Sequence, residues 1–211
     1  MPGLAPRTLG AWYVATNGLP GGGGTNWPTA FTNIQSALDI AQDGDTIHVA
    51  GHTFSLTNPL VWPPAVSNVS VVGGYEATNA VGAGDYDTLK WPTIIARKPA
   101  FTCRLMVIQN ATNILIERVA FRGGYLNSAP QAGAGLYVVN TVGQIRNSIF
   151  ENNAINTVAA GSQGGAIYIL GGELTFENVV LANNSISCPL GGGFTVLGGG
   201  IYIGSGMHFF R

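Results

Sequence analysis

Short apolar runs recur along most of the chain and are separated by stretches rich in Gly and Asn. Runs such as "IYI", "LTFENVVL" and "MVIQNATNILIERVAF" are rich in β-branched and aromatic residues, and none sustains the i, i+3, i+4 spacing of an amphipathic helix. The pattern therefore predicts short β-strands joined by turns.

The strand pattern is itself repeated. Leu136, Ile167 and Ile201 each follow a Gly-rich stretch and precede a Tyr, and they are separated by 31 and 34 residues. Other matching positions are Ile145 with Phe176, Asn147 with Asn178, Ile149 with Val180, Phe150 with Leu181, and Asn152-Asn153 with Asn183-Asn184; a copy upstream, at a step of 29, contributes Val107, Ile116, Ala120 and Phe121. Each copy is too short and Gly-rich for a crossover helix, so the copies are predicted to coil into a parallel β-helix with equivalent residues ~4.8 Å apart.

The charged residues independently support this register. Glu117, Arg146 and Glu177 fall in one column, and Arg122 lies over Glu151 in another. Alternating signs suit a parallel stack because like charges directly opposite one another are destabilising. The three glutamates are therefore interpreted as partners in outward ion pairs rather than as catalytic groups.

The N-terminal segment "TAFTNIQSALDIAQDGDTIHVAG" differs because it contains a helical pattern. Thr32 is the predicted N-cap, with Gln35 in a capping-box position. We expect this helix, over 32–42, to cover the open end of the first coil. The sequence thus predicts an N-terminal cap at 1–58 (a strand, the helix and the first coil strand) and coils at 59–211, all within one continuous domain.

The coils are predicted to be incomplete at the C-terminal end. Phe210 takes the place of Ile145 and Phe176, but the second half of that coil and a polar cap are missing. Repeat proteins need capped ends to avoid association through open edges. We therefore expect either a fragment of a longer solenoid or a subunit whose last coil is closed by another molecule.

Composition argues against several classes of partner. Charged residues make up 9% of the 211-residue chain and the formal net charge is −1, which argues against binding to nucleic acid or an anionic membrane. No window approaches the ~20 apolar residues of a transmembrane helix, so no direct membrane span is expected. The start "MPGLAPRTLGAWYV" lacks a signal-peptide pattern, which leaves a cytoplasmic protein or one whose leader has been removed.

The chain resembles the right-handed parallel β-helix proteins of the pectate-lyase-like superfamily. Its N-terminal part carries "YV", "NG", "IQSALD", "GDTI" and "TF" in the order found at the start of many secreted or surface β-helix proteins. The "GGY" and "WPTII" segments are similar to adhesin-like members, and "GGAI" and "FENN" to polymorphic outer-membrane proteins of autotransporter type. The resemblance covers residues 12–211 and implies an all-β, right-handed parallel β-helix located outside the cell or at its surface. It does not distinguish lyases, hydrolases, tailspikes and passive rods, which share this fold.

Candidate catalytic carboxylates are few. The resemblance implies that a lyase of this superfamily would need an acidic calcium-binding cluster with an arginine. A hydrolase would need two or three carboxylates. Asp85 and Asp87 are the remaining pair that could share a cation or a proton, although "GAGDYD" also fits a polar loop. No motif demands catalysis, a metal or a cofactor, and calcium is expected only if the protein is a lyase.

The tyrosines after the Gly-rich stretches form a candidate binding surface. If the flanking apolar residues face the interior, Tyr137, Tyr168 and Tyr202 face outward as an aromatic stripe. Such a stripe could bind sugar rings or a partner surface, or it could only stabilise the sheet by stacking.

Histidines and cysteines do not form a metal-binding motif in this sequence. Cys103 and Cys188 lack metal-ligand spacing, and a disulfide between them is left open. His48 lies between Ile47 and Val49, so strand alternation points it outward, and it is interpreted as a surface histidine.

These observations leave three functional hypotheses. The leading one is a non-catalytic, structural or adhesin-like module at the cell surface or outside the cell, which is either a fragment of a longer rod or a self-assembling fibre subunit. The alternatives are a polysaccharide lyase or glycoside hydrolase of the pectate-lyase-like superfamily, and a carbohydrate-binding module that uses the tyrosine stripe. The expected partners are a polysaccharide or cell-surface ligand and, through the open last coil, the protein itself.

Overall fold

The computed structural model describes residues 9–64, 66–128, 131–157, 161–188 and 197–211. These residues include one short helix, α1 (Ile34–Leu38), and a 3-10 turn (Trp27–Thr29). The strands are β1 (Ala11–Val14), β2 (Thr46–Ala50), β3 (Thr53–Leu56), β4 (Leu60–Val61), β5 (Ser70–Tyr75), β6 (Thr93–Arg97), β7 (Met106–Gln109), β8 (Ile114–Glu117), β9 (Val119–Arg122), β10 (Tyr125–Leu126), β11 (Leu136–Arg146), β12 (Ile149–Glu151), β13 (Ala154–Asn156), β14 (Ile167–Glu177), β15 (Val180–Ala182), β16 (Ser185–Ser187) and β17 (Ile201–Phe210). The structure is nearly all β, as the sequence predicted.

The strands wind into a parallel β-solenoid of about six turns. The first sheet follows the order β1-β2-β5-β8-β11-β14-β17 and also contains β4 and β7. The second sheet follows β3-β6-β9-β12-β15, and the third follows β10-β13-β16. Each strand pairs in parallel with its counterpart one coil away, which confirms the predicted parallel coiling.

The pairing register confirms that repeated residues stack, with one correction. Leu136, Ile167 and Ile201 lie side by side on adjacent strands, as predicted. Val107 was expected beside Leu136 but pairs with Tyr137. The bend between β7 and β8 holds one more residue than the equivalent bend within β11, so the offset is 30 before the bend and 29 after it.

Stacked apolar side chains fill the interior of the solenoid. Phe121 and Phe150 stack with ring centroids 4.7 Å apart, and Phe176 stacks on Phe210 at 5.0 Å. Burial of a large apolar side chain stabilises folding by about 1.5–3 kcal/mol, so the interior column is a main source of stability. The buried aliphatic residues of this core include Ile47, Val49, Val71, Ile95, Ile108, Ile116, Leu136, Val138, Ile145, Ile167, Ile169 and Leu174.

Asparagine and glycine form the corners of the coils. Asn147 and Asn178 have φ of 51° and 50°, while Gly123, Asn152 and Asn183 share a second corner column with φ of 69°, 55° and 53°. Glycine enters this left-handed region freely, and asparagine tolerates it better than most residues. The upstream copy can therefore use Gly-Gly where later copies use Asn-Asn.

A ladder of asparagine amides runs along the stack beside the second corner. Asn153 Nδ2 donates to Asn184 Oδ1 at 3.0 Å and to the Phe121 carbonyl at 3.0 Å. Asn153 Oδ1 accepts from the N–H of Gly124 at 2.9 Å. The predicted match of Asn153 with Asn184 is thus confirmed, and the ladder satisfies a buried amide with groups from both neighbouring coils.

The predicted charge columns are present in the strand register, but Glu117 is buried rather than outward. Arg146 lies between Glu117 and Glu177 in the strand register, and its Nη2 is 3.1 Å from Glu117 Oε2. In the other column Arg122 forms an ion pair with Glu151. These pairs form because the parallel register brings residues from successive coils directly opposite each other.

The N-terminal helix packs against β1, β2 and β4, but its boundaries differ from the prediction. The N-cap is Asn33, not Thr32, because the Asn33 carboxamide oxygen accepts from the Ser36 N–H at 2.9 Å. Gln35 does not complete a capping box. Its side chain instead bonds the backbone of Val61 in β4, accepting from the N–H at 2.8 Å and donating to the carbonyl at 2.9 Å. The α-helix spans five residues rather than the predicted 32–42.

Candidate functional site

A cluster of aromatic side chains lies outside the solenoid, on the first sheet. This aromatic cluster consists of Tyr13, Trp27, His48, Tyr75 and Tyr86, and its neighbouring rings have centroids 4.9–6.2 Å apart. Strand alternation places Tyr13 and His48 there, because Val14, Ile47 and Val49 beside them point into the interior. Trp27 and Tyr86 reach the cluster from the 3-10 turn and from the segment after β5. Tyr13, Trp27 and Tyr75 are buried in a small second core, whereas Tyr86 is 59% exposed.

The segment 76–92, called the excursion loop below, covers part of the aromatic cluster. It begins after β5 and folds back antiparallel to the end of that strand, so that Tyr75 and Tyr86 form an antiparallel bridge. Trp27 Nε1 donates to the Ala83 carbonyl at 3.0 Å, which joins the loop to the 3-10 turn. The loop is therefore anchored to the solenoid at more than one point.

Arg118 holds the excursion loop against the coils. Its Cζ lies 3.9 Å from the ring centroid of Tyr86 and 5.4 Å from that of Tyr75. Its Nε donates to a β5 carbonyl at 2.9 Å, and its Nη1 lies 3.4 Å from Glu117 Oε1. Arg118 occupies a corner position with φ of 57°, where the next coil has Asn147. A long cation at this corner can reach the loop, whereas an asparagine cannot.

A cleft opens between the excursion loop and the coils. This loop cleft has a volume of about 500 Å³. Carboxylate, amide, hydroxyl and guanidinium groups lie beside aliphatic and aromatic surface, a combination that suits a polar organic ligand. The lining residues are Tyr86, Asp87, Thr88 and Leu89 from the loop, and Glu117, Arg118, Asn147, Ser148, Ile149, Asn178 and Val180 from the coils.

His48 is not the surface histidine that the sequence indicated. Its ring lies 5.2 Å from Tyr13 and 5.1 Å from Tyr75 between centroids, and its Nδ1 is buried without a hydrogen-bond partner among the described residues. Burial, together with the nearby Arg118 cation, lowers the pKa of His48 from 6.5 to about 4. Alternation predicted the face of the sheet correctly but not the loops that cover it.

The structure places Asp85 and Asp87 in the excursion loop, where Asp87 lines the loop cleft and Asp85 does not. Asp87 Oδ1 accepts from the backbone N–H groups of Leu89 and Lys90 at 2.9 and 3.2 Å, so this carboxylate stabilises a turn. Asp85 is exposed, and its carbonyl accepts from the Glu76 N–H at 3.2 Å. Neither contact is a catalytic arrangement in itself.

The tyrosine stripe is a continuous stack. Tyr137 and Tyr168 have ring centroids 5.0 Å apart and planes within 8°, and Tyr168 and Tyr202 are 5.5 Å apart within 9°. Arg104 Cζ lies 4.7 Å from the Tyr137 centroid. Since its neighbours take both faces of the Tyr168 ring, a ligand can reach this residue only at the ring edge and the hydroxyl. Burial and the two neighbouring tyrosines raise the pKa of Tyr168.

A groove with a volume of about 340 Å³ runs beside this stripe. Arg104, Gln131, Gln163, Tyr137 and Tyr168 are among the residues that line it. Desolvation by burial lowers the pKa of Arg104, whose Nε also donates to a backbone carbonyl at 2.9 Å. The groove thus presents guanidinium, amide and phenol groups at the spacing of successive coils.

The two cysteines do not form the disulfide that the sequence left open. Both Cys103 and Cys188 are free, with Cys103 buried and Cys188 partly buried. Burial raises the pKa of the Cys103 thiol, which favours the unreactive protonated form.

A metal site and a membrane-spanning helix each place requirements on the residues that the structure describes. Within those residues no three His, Cys, Asp or Glu side chains come together as a metal-binding group. None of the helices there has the length and apolar character needed to cross a membrane.

Several residues of these surfaces were missed by the sequence reasoning. Arg118, Tyr86, Trp27 and Arg104 occupy positions without a repeated counterpart of the same type. The signal that could have identified Arg118 is a break in the corner column, where a charged residue replaces asparagine. Trp27 and Tyr86 lie on irregular segments, whose folded positions no periodic pattern encodes.

Comparison with protein-family models, with curated proteins and with solved structures finds no significant match to this chain.

Proposed function

We propose that this chain is a non-catalytic structural module of a cell-surface or extracellular rod, adhesin-like in character and related to the pectate-lyase-like β-helix proteins. In this proposal the rod is lengthened by stacking a further coil on β17. That coil comes either from the same polypeptide or from a second copy.

The uncovered face of the last coil is the observation that carries the proposal. β17 pairs with β14 along one edge, and no described strand pairs with its other edge. Phe210 is 55% exposed, although Phe176, its counterpart one coil earlier, is 2% exposed. β17 contains no charged residue and no proline, which are two of the devices that protect an edge strand from pairing. A further coil would cover Phe210 and continue the interior column.

Replacing Phe210 with lysine is expected to abolish association of the 211-residue chain. The wild-type chain should form oligomers at micromolar concentration, because the exposed edge and the end of the core favour stacking. The Phe210→Lys variant should sediment as a monomer, since its charge would have to be buried on stacking. Sedimentation velocity, with circular dichroism as a check on folding, measures both results.

Phe209→Lys is the matched control for this experiment. Phe209 is on the same strand and 39% exposed, but it lies beside Thr175 rather than over the interior Phe176. The control should associate like the wild type. A monomeric wild-type chain, or equal loss of association in both variants, would contradict the stacking proposal. Depolymerisation of pectic polysaccharides that is lost in Asp85→Ala or Asp87→Ala would contradict its non-catalytic part.

Carbohydrate binding is a second candidate function, favoured by the groove beside the tyrosine stripe. The covered faces of Tyr168 exclude stacking of a sugar on that ring. The groove instead offers phenol, amide and guanidinium donors, which suit the hydroxyl groups of an oligosaccharide.

Under this candidate function, Tyr168→Phe should weaken the affinity for an oligosaccharide by about 3- to 10-fold. This factor corresponds to the free energy of one lost hydrogen bond. The thermal stability of the variant should be unchanged, because the ring keeps its place between Tyr137 and Tyr202. Isothermal titration against a panel of neutral and acidic oligosaccharides measures the affinity, and Tyr86→Phe serves as a control remote from the groove. An unaltered affinity in Tyr168→Phe would remove this candidate.

A further inference from the structure

The aromatic cluster contains a histidine, His48, whose surroundings disfavour the doubly protonated, positively charged imidazole. His48 Nδ1 is buried and has no hydrogen-bond partner among the described residues. A protonated ring would carry both a positive charge and an unsatisfied donor into this position. Both features are costly in a partly buried site.

The charged and titratable groups around His48 would not compensate a second positive charge. Tyr13 from β1 and Tyr75 from β5 present their rings to the imidazole. The nearest charged group acting on it is the Arg118 cation, which opposes protonation. The carboxylate of Glu117 is already paired with Arg118 and with Arg146.

The same Arg118 cation also holds the excursion loop. Its guanidinium lies on Tyr86 of the loop at 3.9 Å, and its Nη2 donates to the Tyr75 hydroxyl at 3.3 Å. Tyr75 thus touches His48 on one side and Arg118 on another. A charge on His48 would repel the cation that fastens Tyr86 and would disfavour the packing beneath the loop.

We propose that His48, Tyr75, Arg118 and Tyr86 form an acid-sensitive latch, in which protonation of His48 releases the excursion loop and opens the loop cleft. The loop supplies one wall of that cleft through Tyr86, Asp87 and Leu89. The latch therefore couples pH to the shape of the loop cleft. It is independent of the stacking of coils on β17.

The direction of the pH effect follows from the lowered pKa of His48. In the closed state this pKa is about 4, whereas a released histidine has the ordinary value of 6.5. Closure is therefore fully favoured above pH 6.5 and is progressively lost as the pH falls from 6.5 towards 4. At pH 4.5 these two values shift the closing equilibrium by a factor of up to about 80.

Hydrogen–deuterium exchange of the excursion loop tests the latch. Protection of residues 76–92, corrected for intrinsic exchange rates, should fall by up to about 80-fold between pH 7 and pH 4.5 in the wild-type chain. Strands β11 and β14 should keep their protection over this range, which separates loop release from global unfolding. His48→Phe, which retains an aromatic ring and cannot titrate, should largely remove the pH dependence.

Tyr86→Ala is a second variant that does not alter His48. It removes the side chain held by Arg118, so the loop should be poorly protected at both pH values while β11 and β14 remain protected. The proposal is overturned if loop protection in the wild type is independent of pH. It is also overturned if His48→Phe shows the same acid-induced loss, because the carboxylates of Asp87 or Glu117 would then be the trigger.

Discussion

Replacing Asp45 with alanine is expected to lower the free energy of unfolding by about 3–5 kcal/mol, since it leaves buried donors without their charged acceptor. The Asp45 carboxylate is fully buried and accepts from the Gly10 N–H at 2.7 Å, Trp12 Nε1 at 2.8 Å and the Gln42 N–H at 3.0 Å. It thus ties the N-terminal strand to the turn after α1. Urea denaturation followed by circular dichroism measures the loss.

Two further variants show whether the charge and the burial of Asp45 are responsible. Asp45→Asn keeps the shape but replaces one acceptor oxygen with a donor, so it should lose less stability than Asp45→Ala but more than 1 kcal/mol, about the value of a hydrogen bond. Asp85→Ala removes an exposed carboxylate and should change stability by no more than about 0.5 kcal/mol. Equal stability of wild type and Asp45→Ala would show that the network is not stabilising.

The second large effect is expected for Phe150→Ala, with a loss of about 3–5 kcal/mol for a cavity in a close-packed core. Phe150 is fully buried and stacks on Phe121 with ring planes within 5°. On the other side it lies beside Leu181 in the next coil. Alanine would leave a gap between two coils, and each coil depends on its neighbours for burial.

Phe209→Ala provides the comparison for Phe150→Ala, because Phe209 lies on the outer part of β17 and is 39% exposed. Its loss should be well under half of that for Phe150→Ala, as measured by the midpoint and slope of urea denaturation. A similar loss at both positions would indicate that interior stacking does not dominate stability. A reduced slope for Phe150→Ala would show that the coils beyond the cavity unfold separately.

The repeated coil was predictable from sequence because a parallel stack places like residues over like. Tyr137 over Tyr168, Phe121 over Phe150 and the charge column of Arg146 were all predicted from spacing alone, and the strand register confirms them. The same spacing failed at Val107. One additional residue in a bend changes the number of residues between paired positions, and the sequence pattern does not indicate in which bend that residue lies.

The start of α1 shows how tertiary contacts override a local motif. Thr32 and Gln35 match a capping box, but the β4 backbone offers the Gln35 side chain both a donor and an acceptor. Asn33, which the motif did not select, then supplies the cap from an extended conformation. The capping-box motif takes account only of hydrogen-bond partners within the helix start, and so it does not predict a bond from Gln35 to β4.

By itself, the sequence determined the parallel solenoid, the interior column and the corner residues, because each depends on a periodicity of one coil that the chain repeats. Only the tertiary structure decided what surrounds His48, how Arg118 holds Tyr86, and that both faces of the Tyr168 ring are covered. Alternation specifies which face of a sheet a side chain occupies. What lies against that face depends on irregular segments that folding brings together. Their sequences have no repeating pattern that would predict these contacts.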